Sequence, residues 1–270
     1  MHDPVFLQHA LETAIQAAKA GEVVIRHYYE KNIQVQIKED QTPVTVADVE
    51  TEHAIKAVLQ AAFPEHGFYG EETGKSDKDS EYTWLVDPID GTKAFVRQYP
   101  MFSTQIALMH GDELIVGVSN APMFNGGEMA WAAQGQGAFL NGQPIHVSNI
   151  ATLGQAALSA GNIKSLAQST HWAGFGQICQ TVNRTRGYGD FLHYHLLASG
   201  RIDLVIESDV NILDIAALCV IVREAGGVFT DLQGNSPLLD ARSVMAAASP
   251  VLYAEARAML EGIDASFYLP

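Results

Sequence analysis

The chain has 270 residues, of which 31 are acidic and 16 are basic, so its net charge is −15 at pH 7. This acidic excess leaves no evident basic patch for binding nucleic acid. With 47% hydrophobic and 17% charged residues, the chain is too apolar for a disordered protein and long enough to bury a large core as one compact unit. Its two cysteines, Cys179 and Cys219, have no metal-ligand spacing, which argues against a disulfide scaffold or a zinc site and favours a reducing, cytoplasmic location.

The first predicted element is an N-terminal helix. Asp3 can cap this helix, Pro4 suits its first turn, and apolar residues recur at helical spacing up to Gly21. Acidic residues and a lysine interrupt the apolar positions, and no basic start precedes them. We therefore expect neither a signal peptide nor a membrane-spanning segment here.

Acidic residues come next, at the ends of two predicted elements. Asp48 lies just before a helical pattern at residues 49–62, and Glu71 and Glu72 follow a short aromatic segment, residues 67–70, that indicates a strand end. Taken singly, Asp48 could be a helix cap and the two glutamates a solvated loop. Their meaning therefore depends on the acidic residues that follow.

The most informative motif is Asp-Pro-Ile-Asp-Gly-Thr at residues 87–92. An apolar run at residues 82–86 indicates a buried strand, and because Pro88 lacks the N–H that a central strand needs, we expect the strand to end at Asp87. Two carboxylates then lie beside a Gly-Thr turn whose amides can face an anion, which suits a hard divalent cation together with a phosphate. A polar turn without function is the alternative.

The spacing of the two aspartates also separates two kinds of phosphatase. Phosphatases of the haloacid-dehalogenase type carry Asp-x-Asp-x-Thr after a strand and use the first Asp as nucleophile, and a spacing of two keeps both side chains on one side of a strand. Asp87 and Asp90 are three apart with a proline between them. This spacing favours ligands that wrap around metal ions over a nucleophile paired with an acid.

The rest of the chain indicates two halves without a linker. Strands and tight turns alternate from residue 34 to residue 147, and Asn141 with Gly142 indicates a hairpin. Later we predict strands at residues 156–160, 204–207 and 228–231 and helices at residues 190–199, 214–225 and 253–260. Asp214 opens an apolar helix that Gly226 stops. We therefore predict an N-terminal α+β half at residues 1–150 and a C-terminal α/β half at residues 151–270.

Together these motifs resemble the signature of the inositol monophosphatase-like superfamily of magnesium-dependent, lithium-sensitive phosphatases. The signature lies at residues 70–72 (Gly-Glu-Glu), 84–92 (Trp-Leu-Val-Asp-Pro-Ile-Asp-Gly-Thr) and 213–217 (Leu-Asp-Ile-Ala-Ala), with Ala-Gly-Gly at residues 225–227. Its order and spacing match across most of the chain. The resemblance implies a layered α/β fold, the α-β-α-β-α sandwich of the sugar phosphatases, and a homodimer.

The resemblance also implies a cofactor, Mg²⁺, with two or three ions in each active site and Mn²⁺ as a possible substitute. The implied ligands are Glu71, Asp87 and the Ile89 carbonyl for a first ion and Asp87, Asp90 and Asp214 for a second, with a third ion near Glu71. Most of these ligands lie in the N-terminal half. Because a net charge of −15 would repel a phosphate ester, the acidic cluster makes sense when cations fill it.

Further roles are implied for the residues around these ligands. The Gly91 and Thr92 amides would bind phosphate, and the Thr92 hydroxyl would orient the attacking water together with Asp48, with Glu71 also counted among the catalytic residues. Lys38 matches a family lysine near a mobile loop before Asp48 and is assigned to the substrate side of the site. Water, rather than a protein side chain, would attack phosphorus.

Three places in the chain bear on the substrate. Lys93 stands where inositol monophosphatases usually carry Thr or Ser, and it resembles the histidinol-phosphatase and nucleotide 3′-phosphatase branches. Gly-Asp at residues 189–190 and Gly-Arg-x-Asp at residues 200–203 resemble the histidinol-phosphatases, and the lysine usual in the nucleotide branch is missing. Leu213 replaces the usual Trp or Tyr before Asp214, which affects the shape of the pocket. The resemblance favours L-histidinol phosphate, followed by inositol 1-phosphate and a nucleotide 3′-phosphate.

The charge of the leaving group agrees with this order. Histidinol phosphate carries an ammonium and an imidazole, so its pocket should offer carboxylates that metal does not hold. The candidates are Asp190, Glu207 and Asp209. Inositol monophosphatases also place an acid at the position of Glu207, so Asp190 and Asp209 would discriminate, unless they are solvated surface acids. The non-enzymatic alternative is a silent scaffold that binds a phosphorylated ligand; loss of Asp48, Thr92 or a metal acid would indicate it, and all are present.

Overall fold

The computed structural model describes residues 2–29, 31, 35–37, 43–76 and 80–262. The chain forms two compact units, Met1–Pro144 with Leu213–Glu224, and Ile145–Ile212 with Ala225–Pro270. The helix that carries Asp214 therefore packs with the first unit although it lies late in the chain. The sequence predicts a division into two halves near residue 150, and this division remains a prediction.

The described helices and strands follow one another along the chain as follows. They are α1 (Pro4–Tyr29), β1 (Val35–Ile37), β2 (Pro43–Thr45), α2 (Val46–Ala62), β3 (Gly67–Gly70), β4 (Gly74–Lys75), β5 (Tyr82–Asp90), α3 (Thr92–Val96), β6 (Ser103–His110), β7 (Glu113–Ala121), β8 (Glu128–Ala133), β9 (Ala138–Leu140), β10 (Gln143–Ile145), β11 (Ala157–Gly161), α4 (Ile163–Ala167), α5 (Trp172–Thr181), β12 (Arg184–Arg186), α6 (Asp190–Ala198), β13 (Leu204–Ser208), α7 (Ile212–Glu224), β14 (Val228–Thr230), β15 (Ser243–Ala247) and α8 (Pro250–Glu261).

The first unit is built on a mixed sheet with the strand order β10-β9-β8-β7-β6-β5-β3-β4. Strand β3 is parallel to β5, whereas successive neighbours from β5 to β9 are antiparallel. Helices α1 and α2 cover one face, where Leu11 and Ile55 pack with Trp84, Ile106 and Val118 of the strands in one buried cluster. Strands β1 and β2 form a separate antiparallel pair.

Side-chain caps begin both long helices of this unit. The Val5 amide donates to Asp3 Oδ1 at 3.0 Å, as the sequence predicts for α1. Helix α2 begins at Val46, three residues before the predicted start, because Thr45 is its N-cap and Asp48 completes a capping box as the third helical residue. Asp48 thus lies inside the helix and not before it.

Strand β5 also departs from the prediction, since it continues past Asp87 to Asp90. Asp87 pairs with Gln105 and Asp90 with Ser103, so three steps along β5 match two along β6 and β5 carries a bulge. Pro88 lies in this bulge, and its carbonyl accepts a hydrogen bond from Thr104 Oγ1 at 2.8 Å. A bulge tolerates the missing N–H of a proline, so Pro88 does not end the strand.

Helix α7 packs closely on strand β7. Alternate residues of a strand face opposite sides, so with Val116 and Val118 in the cluster beneath α1, Gly117 faces away from that cluster. A Cβ atom at Gly117 would meet the backbone of Ala217, at 3.0 Å from its Cα. Only a glycine allows α7 to lie this close, and α7 carries Asp214 in its first turn.

The second unit contains a sheet with the order β12-β11-β13-β15-β14. Strand β11 is parallel to β12 and β13, whereas β15 is antiparallel to β13 and β14. Leu158 and Ile206 of the sheet pack with Phe175 of α5 and Leu252 of α8. The sequence reading missed β12, β15, α4 and α5; β15 is buried along its whole length, so it shows no alternation of polar and apolar residues.

The mixed sheets with helices packed on them confirm the predicted layered α/β class. The hairpin turn is present, with positive φ angles at Asn141 and Gly142, and the strand that follows it is Gln143–Ile145. In the part of the chain that the structure describes, no helix combines the length and apolar character needed to cross a membrane.

The contact between β7 and α7 yields a first prediction. Gly117→Ala should lower the free energy of unfolding by about 1–3 kcal/mol, because the added methyl group must push α7 off the strand. Urea unfolding measures this change. Gly154→Ala is the matched control, since a Cβ there meets nothing within 4 Å. Equal unfolding free energies for the two variants would contradict the close packing.

Candidate metal centre and phosphate site

Three carboxylates of the first unit converge where strand β5 ends. Asp87 and Asp90 lie on β5 and Asp214 lies in the first turn of α7, and each offers an oxygen within 4.8 Å of the others. Residues three apart on a regular strand face opposite sides, but their partners Gln105 and Ser103 are two apart and face the same side. The bulge therefore turns Asp87 and Asp90 to one side of the sheet.

This cluster is electrostatically unfavourable without a cation. Asp87 is 3% exposed, and its Oδ1 atom has no hydrogen-bond partner among the described residues. Burial, followed by the negative charges of Glu71, Asp90 and Asp214, raises the pKa of Asp87 well above its ordinary value. A buried, unpartnered carboxylate oxygen among other carboxylates is a fitting ligand for a divalent cation that prefers oxygen. The cluster therefore fits Mg²⁺.

The turn after β5 presents backbone amides beside these acids. Gly91 has a φ of 93°, in the left-handed region, and a Cβ atom there would lie 2.7 Å from the Met101 carbonyl oxygen. Glycine is therefore required at this turn. Thr92 begins the short helix α3, and the first amides of a helix have no partner within it. The turn can thus offer N–H groups to an anion.

The Thr92 side chain is linked to Asp48. Its Oγ1 atom lies 3.2 Å from Asp48 Oδ1 and 3.1 Å from the Ile89 carbonyl oxygen. The other Asp48 oxygen, Oδ2, accepts from the amide and the hydroxyl of Thr45, at 2.7 and 2.6 Å. Burial raises the pKa of Asp48, although the hydrogen bonds from Thr45 and Thr92 lower it. One oxygen of Asp48 therefore holds the helix cap and the other faces the threonine.

Glu71 and Ile89 have different surroundings. The Glu71 amide donates to the Val86 carbonyl at 3.1 Å, which fixes its backbone beside the residue before Asp87. The Glu71 side chain is exposed, yet its charge and a hydrogen bond contribute to the raised pKa of Asp87. The side chain of Ile89 is buried beside Phe95 and Phe102. Its carbonyl group is the part available to the site.

The second unit holds two of the predicted substrate acids close to each other. Glu207 on β13 is buried, and its Oε2 atom accepts from Tyr194 Oη at 2.7 Å and lies 3.0 Å from His193 Nε2. Asp190 begins α6, and the residue as a whole is exposed, but protein surrounds much of its carboxyl group. This burial, followed by the charge of Glu207, raises the pKa of Asp190 to about 6, against a smaller opposite effect of His193.

The remaining predicted substrate residues are Asp209 and Lys38. Asp209 is an exposed residue with a φ of 58°, and its carbonyl accepts from Asn162 Nδ2 at 3.2 Å. This backbone position is one that aspartate tolerates well, so the turn alone accounts for Asp209. Lys38 lies outside the described residues. Leu213, beside Asp214, is buried.

No role in the site was predicted for three residues that support the predicted ones. Glu52, one helical turn after Asp48, is fully buried and accepts hydrogen bonds from the amides of Glu72 and Thr73. His193 and Tyr194 hold Glu207 as described above. The signal in the sequence for Glu52 was its spacing of four from Asp48, which places both residues on one face of a helix.

The site defines a class of protein. A carboxylate cluster suited to Mg²⁺, a turn that offers amides to an anion and a threonine-aspartate pair beside them are the parts of a metal-dependent phosphoryl-transfer enzyme.

The comparisons with known proteins agree with this class. The Inositol monophosphatase family matches residues 7–264. A histidinol-phosphatase of Mycobacterium tuberculosis is 39% identical over 238 residues, which are 86% of this chain and 89% of the relative. An inositol-1-monophosphatase of Mesorhizobium japonicum is 33% identical over 243 residues, 87% of this chain and 90% of the relative. The crystal structure of the extragenic suppressor protein suhB from Bartonella henselae has a TM-score of 0.83 at 31% identity and covers 93% of this chain and 98% of that one.

The chain therefore belongs to the inositol monophosphatase family, as its acidic motifs predict. It is a phosphoric monoester hydrolase, and the layered fold of its structural relatives matches its own. Magnesium dependence is general in this family, and the acidic cluster is the group of described residues that could bind the metal.

The repulsion within the acidic cluster yields a second prediction. A carboxyl group whose pKa is raised by folding binds its proton more tightly in the folded state, so stability falls as pH rises from its ordinary pKa towards the raised one. The Tm of the metal-free protein should therefore fall as the pH rises above the ordinary pKa of an aspartate, and Mg²⁺ should reverse the fall.

Asp87→Asn is the matched variant for this prediction, because it removes the buried charge at nearly the same volume. Without metal, its Tm should exceed that of the original chain at about pH 8, and Mg²⁺ should stabilise it less. Scanning calorimetry with and without Mg²⁺ measures both. A Tm of the metal-free original chain that rises with pH relative to Asp87→Asn would contradict the assigned repulsion.

Proposed function

We propose that this chain hydrolyses L-histidinol phosphate to histidinol and phosphate, with water as the nucleophile. The observation that carries the proposal is the cluster of Asp87, Asp90 and Asp214 together with the hydrogen bond between Thr92 and Asp48. The similarity to the Mycobacterium tuberculosis histidinol-phosphatase supports the choice of substrate.

The proposed metal ligands follow from the family resemblance and from the cluster. Glu71, Asp87 and the Ile89 carbonyl would hold one Mg²⁺ ion and Asp87, Asp90 and Asp214 a second, with a third near Glu71 and with Mn²⁺ able to substitute. Bound there, the cations would lower the pKa of a coordinated water and offset the negative charge of the phosphoryl group.

The protein groups would position the reactants. The Gly91 and Thr92 amides donate to phosphate oxygens in the proposed complex. Thr92 Oγ1 donates its single proton to Asp48 Oδ1, which leaves the hydroxyl oxygen to accept a hydrogen bond from the attacking water. Because burial raises the pKa of Asp48, this carboxylate is a better proton acceptor than an exposed aspartate. We expect inversion at phosphorus and no phosphorylated aspartate.

The substrate preference would come from charge. Asp190 and Glu207 share a negative field that an ammonium group would relieve, and inositol offers only hydroxyls. We therefore propose that Asp190 and Glu207 bind the amino group of the substrate, and we keep Asp209 and Lys38 as further substrate-side candidates. The phenolic and imidazole groups of Tyr194 and His193 would hold Glu207 in place.

Inositol 1-phosphate is the alternative substrate, and the similarity to the Mesorhizobium japonicum enzyme favours it. A nucleotide 3′-phosphate and a silent ligand-binding scaffold have less support. By family resemblance we also propose a homodimer, inhibition by Li⁺ and a cytoplasmic location.

One panel of assays tests the proposed function. Phosphate release is measured from histidinol phosphate, inositol 1-phosphate and adenosine 3′,5′-bisphosphate, with Mg²⁺ and with a chelator. We expect the highest kcat/KM for histidinol phosphate, no activity with chelator, and a loss of about 1,000-fold or more in Asp90→Asn, which removes one ligand charge. Full activity after chelation would refute the metal-dependent reading.

The charge of Asp190 yields a third prediction. Asp190→Asn should lower kcat/KM for histidinol phosphate by about 10-fold to 100-fold relative to p-nitrophenyl phosphate, because a hydrogen bond to a charged group contributes roughly 1.5 to 3 kcal/mol. Asp112→Asn, which changes an exposed aspartate, is the control.

The pH profile sharpens this test. The pKa of Asp190 is raised to about 6, so its negative charge is present above that pH and is lost as the pH falls through it. The preference for histidinol phosphate over p-nitrophenyl phosphate should decline over the same window in the original chain more than in Asp190→Asn. Equal effects of Asp190→Asn on all substrates would disprove its assigned role.

A further inference from the structure

Helix α2 carries three charged residues at a spacing of four, Asp48, Glu52 and Lys56, which places them on one face of the helix. Asp48 and Glu52 are fully buried. Two buried carboxylates on successive turns of one helix are costly unless each is well hydrogen-bonded. Asp48 belongs to the proposed site, whereas Glu52 has no part in the proposed reaction.

Glu52 binds the backbone of the loop that carries Glu71. Its Oε2 atom accepts from the Glu72 amide at 2.7 Å, and its Oε1 atom accepts from the Thr73 amide at 2.9 Å. Both oxygens of the carboxylate are therefore engaged by consecutive N–H groups. This is a bidentate arrangement, which fixes direction as well as distance.

The loop backbone lies directly against this carboxylate. A Cβ atom at Gly70 would overlap the Glu52 carboxylate and would lie 2.6 Å from its Oε1 atom. Gly70 has no positive φ in the structure, so this contact favours glycine here, whereas the local backbone conformation does not demand it. Lys56 adds a hydrogen bond from Nζ to Thr73 Oγ1 at 3.3 Å.

These contacts hold Glu71 from both sides. Its own amide donates to the Val86 carbonyl at 3.1 Å, next to Asp87, and the two residues that follow it are bound by Glu52. Glu71 itself is an exposed residue, so its loop contacts are made through the backbone. The charge of Glu71 nevertheless reaches Asp87.

We propose that Glu52 is a positioning residue for the metal centre, which fixes the loop of Glu71 and thereby sets the affinity of the acidic cluster for a divalent cation. The inference rests on the proposed function only in taking the cluster as the metal centre. Glu52 binds neither the cation nor the phosphate ester in this assignment. Its effect passes through the amides of Glu72 and Thr73.

Glu52→Gln tests this role at nearly constant volume. The amide group of glutamine has one acceptor oxygen, so one of the two loop amides would face an NH₂ group and lose its partner. We expect Mn²⁺, titrated calorimetrically without substrate, to bind about tenfold more weakly. We also expect faster hydrogen exchange at the amides of Glu72 and Thr73. The fall in kcat at saturating Mg²⁺ should be smaller than the loss of affinity.

Glu50→Gln is the matched control, because it makes the same change at an exposed position of the same helix. It should leave Mn²⁺ affinity and the exchange of both amides unchanged. If Glu52→Gln does not fold, Gly70→Ala displaces the carboxylate by the added methyl group and retains its charge. Weaker Mn²⁺ binding and faster exchange at both amides in that variant would equally support the proposal.

The outcomes separate this inference from the proposed function. If Glu52→Gln lowers Tm but binds Mn²⁺ as tightly as the original chain, Glu52 is merely structural and the inference is wrong. Unchanged exchange at Glu72 and Thr73 would overturn it as well. If the original chain binds Mn²⁺ more tightly than Glu52→Gln but hydrolyses no phosphate ester, the inference holds and the proposed function fails.

Discussion

Mutual repulsion among three clustered carboxylates, of which Asp87 is buried, is the physical constraint that dominates the first unit. Asp87, Asp90 and Asp214 place oxygens within 4.8 Å of one another, and Asp87 is almost inaccessible to water. Such a group destabilises a fold unless protons or cations neutralise it. The surrounding structure holds the acids together nonetheless, through the bulge of β5 and through the close packing of α7 on β7 at Gly117. The energy that packing provides is thus used to keep a cation site assembled.

The two carboxylate oxygens of Asp48 in helix α2 have different functions, one in the stability of the helix and one in the proposed site. Oδ2 closes the capping box with Thr45, so this oxygen stabilises the start of the helix, while Oδ1 is directed at Thr92. A residue with two such duties is hard to replace, since even an isosteric amide would disturb one of them. One turn later Glu52 repeats the pattern with the loop of Glu71. Helix α2 therefore contacts both Thr92 and the loop of Glu71.

In the second unit, hydrogen bonds from neighbouring side chains stabilise a buried carboxylate. Glu207 is buried, but Tyr194 and His193 supply hydrogen bonds to it, so its carboxylate is held in one orientation. Burial of its carboxyl group, followed by the charge of Glu207, raises the pKa of Asp190. Two negatively charged carboxylates that repel each other favour the binding of a cationic group. An electrically neutral ligand would leave their repulsion unrelieved.

The sequence by itself determined the features that depend on neighbouring residues. These are the cap at Asp3, the turn at Asn141 and Gly142, the layered α/β class and the acidic motifs of the family. The bulge in β5 depended on the tertiary structure, because the register is set by pairing with Gln105 and Ser103 and not by Pro88 alone. The sequence did not reveal strand β15, because burial on both faces removes the alternation of polar and apolar residues that indicates a strand. The role of Glu52 also required the structure, because its partners are the backbone amides of a loop 20 and 21 residues away. The spacing of residues in the sequence shows which side chains lie on the same face of one helix or strand. Contacts between separate elements form only when the chain packs.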